Sequence, residues 1–370
     1  MNQKTAFLIS CSDHYGHRLH LFDEVLREQG YETTYITSDF DHTTKRKFTC
    51  GVPGAVQLSA APYEKNLSFQ RIRSHWAFAR DVFRYLEKQE KQPDVLVVLL
   101  PPNFLGHYAA QYKKKHPDVK LIFDIFDLWP ETFPSHGMKR LLALPFGVWG
   151  SLRDRALPAA DRITTVCDLF RQTLKLGDRA TVIPLCGEAA EMPGQPPEYT
   201  LNLCYLGAIN NVVDIPRICE LLGELSKHRS VKLHVLGTGE RQQELMDEAS
   251  AAGAHVVFHG PVYDEAQKSR IMGQCHFGLN IMKDSVCVGL TMKSVDYFRR
   301  GLPIINSIPG DTEEMVRTYG AGIQLTPGCE KEILAAMGQT DELRHNVRRL
   351  FRERLEIKKV RQLLRELLET

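Results

Sequence analysis

Residues 289–306 read GLTMKSVDYFRRGLPIIN, an order that predicts a loop, a short helix and a buried strand. Gly301 stands where a helix C-cap is expected, Pro303 follows it, and the apolar pair Ile304-Ile305 resumes as a strand. The helix should therefore begin near Thr291. A short helix followed at once by a buried strand is typical of α/β proteins.

The start of this helix predicts a binding site for an anion. The first N–H groups of a helix have no partner within it and carry partial positive charge, so the backbone near Leu290, Thr291 and Met292 should hold a phosphate. Lys293 would add a full positive charge, and Asp296, one turn further on, would accept hydrogen bonds from the two hydroxyls of a ribose. A surface helix with a solvated lysine and aspartate is the alternative interpretation.

Strands and helices alternate along the rest of the chain, which predicts parallel sheets covered on both faces. A polar segment rich in proline and glycine, residues 187–198, interrupts the alternation and is interpreted as a linker. We therefore expect two Rossmann-like domains, residues 1–186 and 187–340, with a ligand cleft between them beyond the carboxyl ends of the strands. Residues 341–370 have a helical pattern and are expected to pack back across both domains.

Composition excludes several classes of protein. The chain has 370 residues, 43% of them hydrophobic and 25% charged, which suits two domains with full cores. A net charge of +2 does not indicate nucleic-acid binding. Nine scattered cysteines without a C-x-x-C pair are typical of reduced thiols in a cytosol, and no apolar run is long enough for a signal peptide or a membrane span. A cytoplasmic protein, at most resting on a membrane, is expected.

Three short segments of the second half, residues 203–207 (LCYLG), 233–239 (LHVLGTG) and 257–262 (VFHGPV), precede the helix-and-strand stretch 289–306. In this order the four segments resemble the strands and turns of the nucleotide-sugar domain of GT-B glycosyltransferases, specifically the large retaining family four. Upstream, residues 123–131 (FDIFDLWPE) resemble an aspartate-tryptophan-proline motif of members that make bacterial surface polysaccharide. The resemblance implies a GT-B fold.

The resemblance also implies which residues bind the donor. Besides the helix start and Asp296, these are Gly207, Asn210, Gly237, Val262 and Lys293. In the family an arginine and a lysine follow the first glycine turn and grip the diphosphate, whereas residues 207–214 here read GAINNVVD and carry neither cation. The charge must then come from Lys293, Lys283, Arg241 or the amides near Asn210 and Asn211. Val288 stands where the family has an earlier glutamate.

The first domain should supply the acceptor site. The loop after its first strand leads through Gly16 into His17 and Arg18, which the resemblance implies could meet phosphate or acceptor hydroxyls; an exposed capping loop is the alternative. Asp127 is predicted to act in catalysis by orienting the acceptor sugar, with Trp129 stacking on its apolar face. A buried, hydrogen-bonded corner of Asp127 and Trp129 is the competing interpretation.

These observations predict a metal-independent retaining glycosyltransferase that moves a sugar from a nucleoside diphosphate sugar, with UDP the expected nucleotide, to a glycan or lipid-linked acceptor in surface polysaccharide synthesis. The leaving phosphate itself would accept the acceptor's proton. Neither a cofactor nor a metal is expected, and the D-x-D of Asp39 and Asp41 is interpreted as an accident of a polar loop. The alternatives are a sugar-nucleotide epimerase on the same fold and a non-catalytic nucleotide-sugar-binding or scaffold subunit.

The segment from Lys139 to Trp149 and the run Lys113–Lys115 are basic and partly apolar. They would suit contact with membrane phospholipid, and a core-facing helix is the alternative.

Overall fold

The computed structural model describes residues 3–12, 16–42, 44–65, 68–132 and 139–369. Contacts divide the chain into two compact units. Unit 1 comprises residues 1–166, 170–183 and 361–370, and unit 2 comprises residues 167–169 and 184–360. Each unit contains one large parallel sheet, so the predicted α/β fold class of two Rossmann-like domains is confirmed.

The first part of the chain forms nine strands and five α-helices among its described residues. In chain order they are β1 (Lys4–Ile9), α1 (Gly16–Glu28), β2 (Tyr31–Ser38), β3 (Phe40–Asp41), β4 (Arg46–Lys47), β5 (Val56–Leu58), α2 (Phe69–Leu86), β6 (Val95–Leu100), α3 (Asn103–Lys115), β7 (Lys120–Ile125), α4 (Lys139–Ala156), β8 (Arg162–Thr165), α5 (Asp168–Thr173) and β9 (Ala180–Val182).

The sheet of unit 1 has the order β5-β2-β1-β6-β7-β8-β9, and every pair in it is parallel. Its central strand β6 consists entirely of valine and leucine and is buried along its whole length, as expected for a strand covered on both faces. The chain runs outward from β1 in one direction and from β6 in the other. The carboxyl ends of β1 and β6 therefore form the switch point of this sheet, where α/β proteins bind ligands.

Unit 2 has a six-stranded parallel sheet. Its elements are β10 (Thr200–Leu206), α6 (Ile215–Ser226), β11 (Ser230–Leu236), α7 (Gln242–Ala251), β12 (His255–Gly260), α8 (Glu265–Gly273), β13 (Phe277–Asn280), α9 (Met292–Arg300), β14 (Ile304–Asn306), α10 (Asp311–Tyr319), β15 (Gly322–Gln324), α11 (Glu330–Ala336) and α12 (Thr340–Leu350). The last helix, α13 (Ile357–Glu369), begins in unit 2 and belongs to unit 1 from Arg361 onward. The strand order is β12-β11-β10-β13-β14-β15, and the apolar faces of β10, β11 and β13 pack with α6 into one core.

Helix α9 has the bounds that residues 289–306 predict. Thr291 is its N-cap, and the side chains of Thr291 and Ser294 each bond the other's backbone N–H in a capping box. Gly301 ends the helix with a φ of 79°, a left-handed conformation that favours glycine, and β14 begins three residues later. The Thr291 hydroxyl also donates to Asn280 Oδ1 at 3.1 Å, which fixes the helix start to the end of β13.

Residues 187–198, interpreted as a linker, are hydrogen-bonded to helices of unit 2. The Ala190 N–H donates to the Arg299 carbonyl at 2.9 Å, and the Arg344 guanidinium donates to the Gly194 carbonyl at 2.8 Å. The C-terminal residues form α12, a five-residue π-helical turn and α13, and from Arg361 onward they belong to unit 1. Among the described residues, no helix has the length and apolar character needed to cross a bilayer.

Candidate functional site

A pocket of about 500 Å³ opens at the carboxyl ends of β10, β11 and β12 in unit 2. This volume lies within the range of small-molecule sites. The predicted donor residues Gly207, Gly237, Val262, Lys293 and Asp296 all line it, together with Met292 from the start of α9. The structure thus brings together residues that lie up to 89 positions apart in the chain, from Gly207 to Asp296, and their roles in donor binding stay predictions.

Two glycine turns, after β10 and after β11, line this pocket, and their backbones approach each other too closely for side chains. A Cβ on Gly237 would lie 1.9 Å from the carbonyl oxygen of Gly207, and one on Gly239 would lie 2.2 Å from that of Ile209. The Ile209 N–H donates to the Thr238 carbonyl at 3.0 Å across the same contact. The G-x-G pattern therefore reflects this close approach.

Lys293 is half-buried on α9, and its ammonium lies 4.7 Å from the centre of the Tyr205 ring. No acidic side chain lies within ion-pair distance of it in the described parts of the chain. Burial lowers the pKa of Lys293 to about 8 from 10.5. The Lys293 ammonium therefore lies at the first turn of α9. An anionic ligand there would be stabilised by this charge and by the unpaired N–H groups of the helix start.

Asp296 lies beside Lys293 in a cluster of charges that sequence reasoning largely missed. Its carboxylate contacts Arg300 closely, lies 3.4 Å from Arg299, and lies 3.6 Å from the Lys268 ammonium. Glu265, at the start of α8, contacts these same three cations. Three cations thus surround two carboxylates, and Glu265, Lys268, Asp296 and Arg299 all line the pocket.

The only sequence signal for this cluster was the basic pair Arg299-Arg300 one turn after Asp296. Glu265 and Lys268 lie some thirty residues upstream, on another helix, and nothing in their local sequence pointed to the pocket. The fold alone brings them there.

Several other predicted donor residues have structural roles. Asn210 Oδ1 accepts from the Val212 N–H at 3.2 Å, Leu290 is buried, and the Thr291 side chain is used in the helix cap. The Arg241 guanidinium pairs closely with Glu244 and donates to the Val213 carbonyl at 3.0 Å. These residues do not line the pocket, and donor binding by the backbone amides near Asn210, Leu290 and Thr291 stays a prediction.

Two of the predicted acceptor residues, His17 and Arg18, are neighbours on α1 but differ in exposure. His17 lies exposed in the first turn of α1, directly after Gly16, and its contact with an acceptor stays a prediction. Arg18 is only 4% exposed and donates two hydrogen bonds of 2.8 Å to the carboxylate of Asp124 on β7. This bidentate pair favours a packing role for Arg18, and its contact with acceptor or phosphate stays a prediction.

Asp127 and Trp129 form the buried corner that was the competing interpretation. The Trp129 indole N–H donates to Asp127 Oδ2 at 2.7 Å, and the Leu128 N–H donates to Oδ1 at 2.8 Å. Burial raises the pKa of Asp127, although these hydrogen bonds oppose the shift. The ring of Trp129 is itself covered, with the Arg71 guanidinium 4.2 Å from its centre and His75 stacked on it at 5.7 Å. These contacts favour the structural interpretation, and stacking of an acceptor sugar on Trp129 and catalysis by Asp127 stay predictions.

The D-x-D residues are also used structurally. Asp39 pairs with Lys47 at 2.5 Å, and Asp41 accepts from the Thr44 hydroxyl at 2.9 Å. Within the described ranges, no three His, Cys, Asp or Glu side chains are grouped to hold a metal ion.

Comparison with known proteins gives matches in both halves of the chain. Residues 19–186 match the model of glycosyltransferase family 4, and residues 200–352 match that of glycosyl transferases group 1. A search of curated proteins finds no significant relative.

Solved structures resemble the chain over its whole length. A sucrose-phosphate synthase from Thermosynechococcus elongatus has a TM-score of 0.73 at 13% identity, covering 100% of this chain and 98% of its own. The lipopolysaccharide outer core galactosyltransferase WaaB has a TM-score of 0.66 at 13% identity, covering 99% of both chains. HepE from Anabaena, solved in complex with UDP and glucose, has a TM-score of 0.66 at 12% identity with full coverage of both. At such identities these likenesses establish the fold.

Proposed function

Because this chain is a glycosyltransferase of the GT-B fold, we propose that it transfers a sugar from a UDP-sugar to a glycan or lipid-linked acceptor in surface polysaccharide synthesis. The transfer would retain the anomeric configuration and need no metal ion. The similar HepE structure contains UDP, which supports this nucleotide.

The position of Lys293 in the pocket is the main evidence that this pocket binds the donor. Lys293 is a half-buried cation, without an acidic partner among the described residues, in a pocket large enough for a nucleotide sugar. The amides of Met292 and Lys293 lie in the first turn of α9, whose N–H groups have no partner within the helix. The diphosphate would lie between these donors and the glycine turns at Gly207 and Gly237, where no side chain blocks it.

The nucleoside would extend towards α8. Val262 and Tyr263 line that side of the pocket, and the ring of Tyr263 is 86% exposed, so it is open for stacking on a uracil base. The ribose would lie near the carboxylates of Asp296 and Glu265, whose remaining lone pairs can accept from its hydroxyls.

Chemistry at this site would consist of positioning and charge stabilisation. The bond between the sugar C1 and the leaving phosphate oxygen breaks, the acceptor oxygen bonds to C1 on the same face, and the acceptor's proton passes to the leaving phosphate. Lys293 would stabilise the charge that develops on that phosphate, the role that the family's absent arginine and lysine have elsewhere.

The proposal is tested by calorimetric titration of UDP and by an assay of sugar transfer. Lys293→Met should weaken UDP binding at least tenfold, because it removes a charge-assisted contact. Lys331→Met, a change at an exposed lysine of the same unit, should leave binding unchanged. Equal affinity of the unchanged protein and the two variants for UDP would contradict the donor site. An inverted anomer in the product would contradict retention. Loss of transfer on adding EDTA would contradict metal independence.

Peripheral contact with a membrane is a second part of the proposal. Helix α2 exposes Phe69, Ile72 and Trp76 along one stripe, with Phe69 79% exposed, and Leu144 and Val148 are exposed on α4. The exposed Arg73 adjoins the stripe on α2, so apolar and basic groups share one helix face. Such a face suits an anionic lipid surface. The side chains of residues 139–143, the basic start of the segment predicted for this contact, lie outside the described ones.

Sedimentation with vesicles tests this contact. The protein should bind vesicles containing phosphatidylglycerol more than vesicles of phosphatidylcholine alone, and the double change Phe69→Ser/Trp76→Ser should abolish the difference. Tyr199→Ser, at an exposed aromatic residue of unit 2, serves as the matched control. Undiminished binding of the double variant would exclude α2 as the docking element.

A further inference from the structure

A second, smaller pocket lies in unit 1 at the switch point of its sheet. Cys11 and Ser12, which follow β1, line it together with Ser38 at the end of β2 and Ala60 beyond β5. The Cys11 thiol donates to the carbonyl of Pro101, the first residue after β6, at 3.8 Å. The pocket therefore occupies the place where open α/β sheets bind ligands.

Side chains that can donate hydrogen bonds or carry a positive charge line this pocket. Arg71 and His75 reach it from α2, and His42 reaches it from the loop after β3. Among the residues that the structure describes, none that lines this pocket is an aspartate or a glutamate. The nearby carboxylates have other partners, because Asp127 accepts from the Trp129 indole and Asp41 from Thr44.

Aromatic rings hold the Arg71 side chain in one orientation. Its guanidinium lies 4.2 Å from the centre of the Trp129 ring and 5.7 Å from that of Tyr63. Lys45 adds a further cation, with its ammonium 4.7 Å from the Tyr63 ring centre. A stacked guanidinium retains the planar donors that match a carboxylate or a phosphate.

His75 provides an independent sign that the pocket takes a ligand. It is only 6% exposed, it lines the pocket, and its Nδ1 has no hydrogen-bond partner in the described part of the protein. Burial, and then the charges of Arg71, His42 and Lys45, hold the pKa of His75 well below its usual range. A buried polar atom without a partner is costly unless something binds to it.

We propose that this pocket binds an anionic group of the acceptor, a carboxylate or a phosphate ester, through Arg71 and His75. The assignment to the acceptor rests on the glycosyl transfer proposed above. The cavity of about 20 Å³ has room for one or two water-sized atoms, so it would take the charged oxygens while the rest of the acceptor lies outside. The acceptor would then be an acidic sugar or a phosphate-linked one, not a neutral glycan.

Titration with small anions tests this assignment. Methyl phosphate and glucuronate represent the two sources of negative charge, and glucose is the neutral control. Saturating UDP is present throughout so that the donor pocket is filled. We expect saturable binding of at least one anion and none of glucose. Binding of methyl phosphate alone would identify a phosphate-linked acceptor, and binding of glucuronate alone would identify an acidic sugar.

Variants of α2 show whether the anion occupies this pocket. Arg71→Met and His75→Phe should each weaken anion binding about tenfold or more, since each removes a donor that faces the charge. His75→Phe keeps a ring against Trp129. Arg71→Lys keeps the positive charge but loses the planar N–H donors of the guanidinium. One informative variant therefore remains if another fails to fold. Arg80→Met, an arginine of the same helix that pairs with Asp81 outside the pocket, is the matched control.

Two results would overturn the inference: no anion binds although UDP does, or the anion binds the Arg71 and His75 variants as tightly as it binds the Arg80 variant. A failure of UDP to bind would instead count against the donor site of unit 2, and the anion titration would still report on unit 1.

Discussion

Lys293 combines a functional charge with a cost to stability. In the unfolded chain its pKa is about 10.5, whereas burial lowers it to about 8 in the folded protein. Between these two pH values the unfolded chain binds more protons than the folded protein. The burial of charged Lys293 therefore lowers the free energy of unfolding by its full amount below pH 8, and this loss disappears as the pH rises towards 10.5. We expect Lys293→Met to raise the melting temperature at pH 7 although it weakens donor binding.

The same pKa predicts a pH dependence of UDP binding. The dissociation constant should stay level from pH 7 to about 8 and then rise, because the free protein loses the charge of Lys293 above that value. Lys293→Arg should remove this rise, since a guanidinium stays protonated throughout. Calorimetry between pH 7 and 9.5 checks both proteins. An identical rise in the arginine variant would assign the dependence to another group.

Asp296 is expected to matter for stability as well as for the donor. The guanidinium of Arg300 is completely buried, and its acidic partners among the described residues are Asp296 and Glu265. Asp296→Asn removes one of these charges and should cost about 1–3 kcal/mol of the free energy of unfolding. Glu224→Gln, which breaks an exposed pair with Lys227, should cost less than about 0.5 kcal/mol. Equal unfolding free energies for both variants in urea would contradict this role of Asp296.

Among the elements, the paired glycine turns at β10 and β11 fix the shape of the donor pocket. A methyl group on Gly239 would collide with the backbone of Ile209, which cannot move aside as a flexible side chain could. Gly239→Ala should therefore cost on the order of 1–3 kcal/mol and weaken UDP binding, because Gly207 and Thr238 line the pocket. Gly338→Ala, where a new Cβ would meet nothing within 4 Å, is the control for urea unfolding and for calorimetry.

The elements also show what the sequence could and could not predict. Helix α9 and strands such as β6 were predictable because caps, glycine stops and apolar runs are local signals. The short strand β15 and helix α10 carry weaker signals and were not predicted. The pairing of Arg18 with Asp124 joins residues 106 positions apart. No local sequence pattern distinguishes such a buried arginine from an exposed arginine that binds phosphate. Side chains near a predicted site therefore need the tertiary structure to separate binding from packing.

At the scale of the whole molecule, unit 1 is completed by the last residues of the chain. Residues from Arg361 onward belong to unit 1, where Arg361 and Arg365 pair with Glu28 on α1 and the side chain of Leu364 is completely buried. The core of unit 1 thus depends on a segment that follows all of unit 2 in sequence. A chain that ends before this segment would leave apolar surface of unit 1 exposed.

Leu364→Ala tests this dependence without shortening the chain. The change opens a cavity in a packed site and should cost about 2–5 kcal/mol in unit 1, whereas Leu144→Ala, at an exposed leucine of the same unit, should cost almost nothing. Hydrogen exchange should show lost protection in β1 and β6 of the Leu364 variant, while UDP binding, which depends on unit 2, stays unchanged. If protection fell first in β10 and β11, the C-terminal residues would stabilise unit 2 instead, and the assignment of α13 from Arg361 onward to unit 1 would be wrong.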